Sequence, residues 1–175
     1  MRRKSNEIIL GIDPGSRHIG FAVFRRGELD DYGIKSIKQN SHPKTIRKLA
    51  SVIRNLIDLE GANVVAVEIP VTYQQKSSLV AVVVEKIKSL VISEFGKYVN
   101  LKVVDPRIVK KAICDELKPT KANMAKKLAE LFPQLRPKLD LPNPGQTNYH
   151  ARVFDAIAMA YYCVYLENEL PLPNA

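Results

Sequence analysis

Glu7-Ile8-Ile9-Leu10-Gly11-Ile12-Asp13-Pro14-Gly15-Ser16 is an apolar run that ends in a carboxylate and a Pro-Gly turn. Residues 7–13 read as a buried strand entering a tight turn. Asp13 is the last residue before that turn, so it stands at the end of a sheet, where open α/β sheets collect ligands. Asp followed by Pro is also ordinary turn chemistry. From this stretch alone both readings stand, a turn-starter and a ligand at the sheet rim.

Working outward, His18-Ile19-Gly20-Phe21-Ala22-Val23-Phe24 reads as a second strand, and Arg25-Arg26-Gly27-Glu28 marks a turn. Residues 29–38 alternate raggedly and read as a third strand. Three strands so close in sequence form an antiparallel meander, since parallel neighbours need long crossovers. Ser41-His42-Pro43 opens a helix that Glu60-Gly61 ends, with Ile46, Leu49, Ala50, Ile53, Leu56 and Ile57 at helical spacing. Val64-Val65-Ala66-Val67-Glu68-Ile69 is a fourth strand, apolar at nearly every position as strands covered on both faces are.

Residues 71–76 are a polar loop, followed by a helix over 77–95 whose first half is apolar almost all round. The β-branched run 82–84 leaves a strand open there. Residues 99–104 make a fifth strand. Asp105-Pro106 caps a helix running to Leu117, and Pro119-Thr120 starts another. The proline-rich stretch 133–148 reads as a loop, and the last helix spans 149–167. The crossover rule places strands 4 and 5 parallel to strand 1. The expected architecture is α/β: a five-stranded mixed sheet, three strands antiparallel and two parallel, flanked by helices. With 175 residues and no linker or repeat, the chain reads as a single domain over 1–175.

Composition narrows the partners. Net charge is +9 and the pI about 9.6, spread through the chain, which favours a folded basic face and a polyanionic partner, nucleic acid above all. Solubility or high-temperature adaptation also produces basic surfaces. No apolar stretch is long enough to span a bilayer, and no signal peptide is evident, so a cytoplasmic protein is expected. Cys114 and Cys163 fall in apolar helical patterns and read as reduced core residues.

Three acids draw attention. Asp13 ends strand 1, and Glu68 interrupts strand 4 near its end. Asp155 stands in the almost wholly apolar run Phe154-Asp155-Ala156-Ile157-Ala158-Met159-Ala160. A charge in such a face is unfavourable unless it is paired or binds a cation. Carboxylates converging at a strand edge suit Mg²⁺ or Mn²⁺, and two such ions can run phosphodiester cleavage by a two-metal mechanism. Ion pairs are the alternative for each acid, Glu68 with a Lys or Arg and Asp155 with Arg152 one turn earlier.

Ile9-Leu10-Gly11-Ile12-Asp13-Pro14-Gly15-Ser16 followed by Gly20 resembles the first motif of the RuvC family of Holliday-junction resolvases. Val67-Glu68 resembles its second acidic motif, and Asp155-Ala156-Ile157-Ala158-Met159-Ala160 its C-terminal helix. Asp105-Pro106-Arg107-Ile108-Val109-Lys110 and Lys121 resemble its central segment. The resemblance implies an RNase H-like fold and a homodimeric, Mg²⁺-dependent endonuclease (Mn²⁺ as substitute) acting on branched DNA, the four-way junction. Asp13, Glu68 and Asp155 are then metal ligands, and the helix beginning near Ser77 is the dimerisation region. The family carries Asp or His three positions before the last Asp, where this chain has Arg152. His150 is the displaced candidate for that catalytic position, about 140° round an ideal helix from Asp155 and within reach only if the helix begins irregularly.

Lys76, Lys110 and Lys121 align with basic family positions and are the expected phosphate contacts, with Arg17 beside the Asp13 turn and Arg152 as a further one. Tyr73 falls where resolvases present an aromatic side chain to the junction centre, suited to stacking on a base. Two rival functions share these features: an RNA-processing nuclease of the YqgF type, and a non-catalytic nucleic-acid-binding relative. The Asp-x-Gly turn also resembles the phosphate loop of actin-like ATPases, but two such domains need more than 175 residues.

Overall fold

The computed structural model describes residues 6–15, 17–38, 42–69, 79–139 and 144–166. The strands are β1 (Ile8–Pro14), β2 (His18–Arg25), β3 (Glu28–Ser36), β4 (Val64–Glu68) and β5 (Asn100–Val104). The helices are α1 (His42–Glu60), α2 (Leu79–Leu90), α3 (Pro106–Cys114), α4 (Lys121–Leu131), α5 (Arg136–Leu139) and α6 (Pro144–Tyr161). One sheet runs β3-β2-β1-β4-β5. β1, β2 and β3 are antiparallel, and β4 and β5 lie parallel to β1. This is the mixed sheet expected from the sequence.

Side chains of a strand alternate between the faces of its sheet, so two apolar cores result. Leu10, Ile12, Val65 and Val67 pack beneath α1 and α2. Ile9, Val64 and Ala66 face α3, α4 and α6. By the same alternation Asp13 follows Ile9 and Gly11 onto the α6 face, and Glu68 follows Val64 and Ala66. Ile12 pairs with Val67 in parallel register, so the next residues, Asp13 and Glu68, leave adjacent strands side by side.

Glycines let α6 lie against the sheet backbone. A Cβ built on Gly11 would come 2.2 Å from the Ala156 carbonyl oxygen and 2.9 Å from the Ala160 Cβ. One built on Gly20 would come 2.1 Å from the Arg152 carbonyl oxygen. Only a residue without a side chain permits that approach, and the alanines of α6 complete it.

Several boundaries differ from the sequence reading. The last helix starts at Pro144, not 149, with proline in its favoured first-turn place. Residues 133–139 form a 3₁₀ turn (Pro133–Leu135) and α5, where only a loop was expected. The helix over 77–95 is α-helical to Leu90 and closes in a π-helical turn, Val91–Phe95, while residues 77 and 78 lie outside the described residues. Its β-branched run is helical, because Val83 and Val84 are buried under the sheet. α3 stops at Cys114, where Asp115 turns the chain with φ +49°. Both cysteines are free and buried, as expected.

Gly20→Ala tests the seating of α6. Overfilling a core costs about 1–3 kcal/mol, and here the obstacle is a backbone carbonyl. Urea unfolding of the variant is expected to show a loss of about 3 kcal/mol, with far-UV helicity retained in its native baseline.

Candidate active site

The site lies where β1 and β4 end beneath α6. Asp13 and Asp155 are the buried charged residues among the described residues, each 6% exposed. Glu68, on the neighbouring strand, is half-buried. α6 delivers Asp155 and Arg152 to the same space, since residues three apart share a helix face.

Arg152 does not pair with Asp155 one turn on. Its Nη1 donates to Asp13 Oδ2 at 3.0 Å. The guanidinium lies over the turn after β1, and a Cβ on Gly15 would come 2.4 Å from its Cζ. Asp155 is instead paired with Lys121, whose ammonium donates to Oδ2. Thr120 places that lysine: its hydroxyl caps α4 by accepting from the Asn123 amide at 3.2 Å, so Lys121 is the first helical residue. Asp105 does the same for α3, accepting from the Arg107 amide at 2.8 Å. That helix brings Lys110 close enough to act on the Glu68 charge.

Burial pushes Asp13 up to about 6, with the Asp155 charge adding to it and Arg152 and Lys121 opposing. Burial also raises Glu68 to about 7, reinforced by Asp13 and Asp155 and opposed by Lys121 and Lys110. For Lys121 burial works downward, but the attraction of Asp155, Asp13 and Glu68 outweighs it and the ammonium is raised. At Asp13 and Glu68, burial and the neighbouring carboxylates thus outweigh Arg152, Lys121 and Lys110. Among the described residues no three Asp, Glu, His or Cys groups close a ready-made metal cage.

The other expected site residues are placed unequally. Arg17 lies at the turn between β1 and β2, and its carbonyl accepts from the Ile37 amide at 2.9 Å. Tyr73 and Lys76 lie outside the described residues. His150 stands inside α6, which is helical from Pro144 and gives no irregular first turn to bring the imidazole round. Its Nδ1 is buried without a hydrogen-bond partner among the described residues, and burial, then Lys138, lowers its pKa. The sequence reading missed the Arg152–Asp13 pair, which joins residues 139 apart in the chain. Gly15 and Gly20 were its only trace.

Strand order, acid-bearing strand ends and a covering C-terminal helix define an RNase H-like fold. Residues 9–161 match the family model described as crossover junction endodeoxyribonuclease RuvC. The chain therefore belongs to the RuvC family. A curated relative, the crossover junction endodeoxyribonuclease RuvC of Salinibacter ruber, is 31% identical over 77 residues. That alignment spans 41% of this chain and 43% of the relative, so less than half of the relative's length is matched. Among solved structures, Thermus thermophilus RuvC in complex with a Holliday junction substrate superposes with a TM-score of 0.67 at 18% identity, covering 95% of this chain and 99% of that one. The yeast mitochondrial Holliday junction resolvase Ydc2 superposes with a TM-score of 0.65 at 12% identity, covering 94% and 80%. At these identities the superpositions establish the shared fold.

The raised carboxylates set a pH dependence. The ordinary values are 3.8 for Asp13 and 4.5 for Glu68, so the folded protein retains protons that the unfolded chain has released. The stability these groups contribute is full below about pH 4 and is lost as pH rises through about 6 and 7. Urea unfolding in EDTA is expected to show this decline between pH 4 and 8. Asp13→Asn and Glu68→Gln should each flatten it by on the order of 2–3 kcal/mol.

Proposed function

We propose that this protein is a metal-dependent endonuclease that nicks four-way DNA junctions, acting as a cytoplasmic homodimer. The observation that carries this reading is the convergence of Asp13, Glu68 and Asp155 on the α6 face of the sheet in a RuvC-family chain. Mg²⁺ is the expected ion, with Mn²⁺ as substitute. The donors are all carboxylate oxygens carrying excess buried negative charge, which suits a hard dication. The lack of a closed protein cage is compatible with Mg²⁺, which is bound through one or two carboxylates and completes its shell with water and phosphate oxygens. When bound, such an ion supplies an activated water and Lewis-acid stabilisation of the leaving oxygen.

The chain's own residues do the rest. Asp13, Glu68 and Asp155 would hold the ion, and burial keeps bulk water from competing for it. Lys110 and Lys121 lie next to the acids and bind the scissile strand's phosphates, with Arg17 reaching the backbone from the β1–β2 turn. His150 is not part of this reading, since its charge neighbour is Lys138 and not the acids. The support for a homodimer is the outer side of α2, where Val82 stays 41% exposed opposite the buried Val83 and Val84. Among the described residues no helix is long and apolar enough to cross a membrane.

A second reading rests on the two ion pairs that already neutralise Asp13 and Asp155. They favour a protein that binds junctions without cutting them. A panel of four-way junction, linear duplex and structured RNA, each with Mg²⁺ or Mn²⁺, separates the readings. Metal-dependent nicking of the junction is expected, and binding without nicking in either metal supports the second reading. Asp13→Asn, Glu68→Gln and Asp155→Asn should each lower nicking at least about 100-fold while junction binding persists. Lys110→Ala is expected to weaken junction binding and to reduce the slope of log affinity against log salt by about 1.

A further inference from the structure

We infer that Arg152 is a resident cation of the carboxylate centre, so that each chain takes up one divalent ion and not two. This rests on the metal-dependent reading above and adds the number of ions.

The position is built for a guanidinium. The backbone of Arg152 is pressed against Gly20, where a Cβ would come 2.1 Å from its carbonyl oxygen. Its head group fills the space that Gly15 leaves open, and donates to a carboxylate whose side chain is only 9% exposed. Any side chain at position 15 would displace it. The guanidinium has hydrogen-bond donors only, so it cannot ligate a metal. It therefore brings a fixed positive charge to the oxygen of Asp13 and no ligand.

Lys121 differs. Its side chain is 63% exposed, against 33% for Arg152. An incoming phosphate can draw it away from Asp155, which leaves that buried carboxylate to a metal ion. Once Lys121 and Lys110 have both turned to phosphates, as the proposed function has them, the three carboxylates face Arg152 alone. One dication then neutralises the centre. A second would leave two uncompensated positive charges beside the guanidinium, with no free carboxylate to hold it.

Mn²⁺ titration followed by electron paramagnetic resonance tests this on the full-length protein. Site-specific binding is the part lost in an Asp13→Asn/Glu68→Gln double variant. The wild type is expected to bind one ion per chain with an uncoupled six-line spectrum. Arg152→Asp and Arg152→His, which exchange the cation for a ligand, are expected to bind two, with a spin-coupled spectrum. Circular dichroism and junction binding check that these variants fold. Two coupled ions in the wild type overturn the inference and leave the nuclease reading intact. One ion in folded variants removes Arg152 as the cause and overturns it too. No ion in any form brings down the metal-dependent reading and this inference with it. If both variants unfold, the wild-type count of one or two still decides the question.

Discussion

The fold and its chemistry both depend on how closely α6 sits on β1 and β2. At Gly11 and Gly20 the helix backbone occupies the space where side chains would stand. That contact fixes the rotation and height of α6, and so fixes where Arg152 and Asp155 emerge. A helix held off by ordinary side chains packs about 8–10 Å from its neighbour and has freedom to slide. Here the spacing of Gly11 and Gly20 across two paired strands leaves little. The same helix buries Ala156, Ile157, Ala158 and Ala160 against the sheet, so packing energy holds the charged residues in place.

That energy is needed because the charges work against the fold. Asp13 and Glu68 are raised first by burial and then by repulsion among the three carboxylates. Removing one partner of a buried ion pair costs about 3–5 kcal/mol, since it strands a charge. Stored repulsion of this kind marks sites whose charges serve something other than stability. The basic residues that relieve it come from three helices, with Lys110 on α3, Lys121 on α4 and Arg152 on α6. Two of those helices are started by side-chain caps, so the placement of the lysines traces back to Asp105 and Thr120.

Most of this arrangement was legible in the chain. The apolar run before Asp13, the near-continuous apolar strand broken by Glu68, and the lone acid in the alanine-rich helix each carry a local signal of burial. The strand directions followed from connection lengths, and with them the meeting of Asp13 and Glu68. What could not be read was pairing at long range. Arg152 lies one turn from Asp155, so the local pattern suggested that bond. The actual partner is Asp13, because Gly15 clears a path toward β1 and Lys121 already occupies Asp155. The start of α6 was misplaced for a related reason. Pro144 and Gly145 look like loop residues, yet proline fits the first turn of a helix, where no amide bond is lost. His150 consequently lies inside a continuous helix.

The two ion pairs are also unequal, and the inequality has a direction. An exposed lysine paired with a carboxylate contributes about 0–1 kcal/mol, because water and entropy compete with it. The Lys121–Asp155 pair has one exposed partner, so most of what it offers is relief of the Asp155 charge, which any cation can supply. The Arg152–Asp13 pair is the less exposed of the two, and its guanidinium lies in the space that Gly15 leaves open. On the proposed function, an approaching phosphate would draw off Lys121 before Arg152, and the contact it gained would be the one that Asp155 gave up.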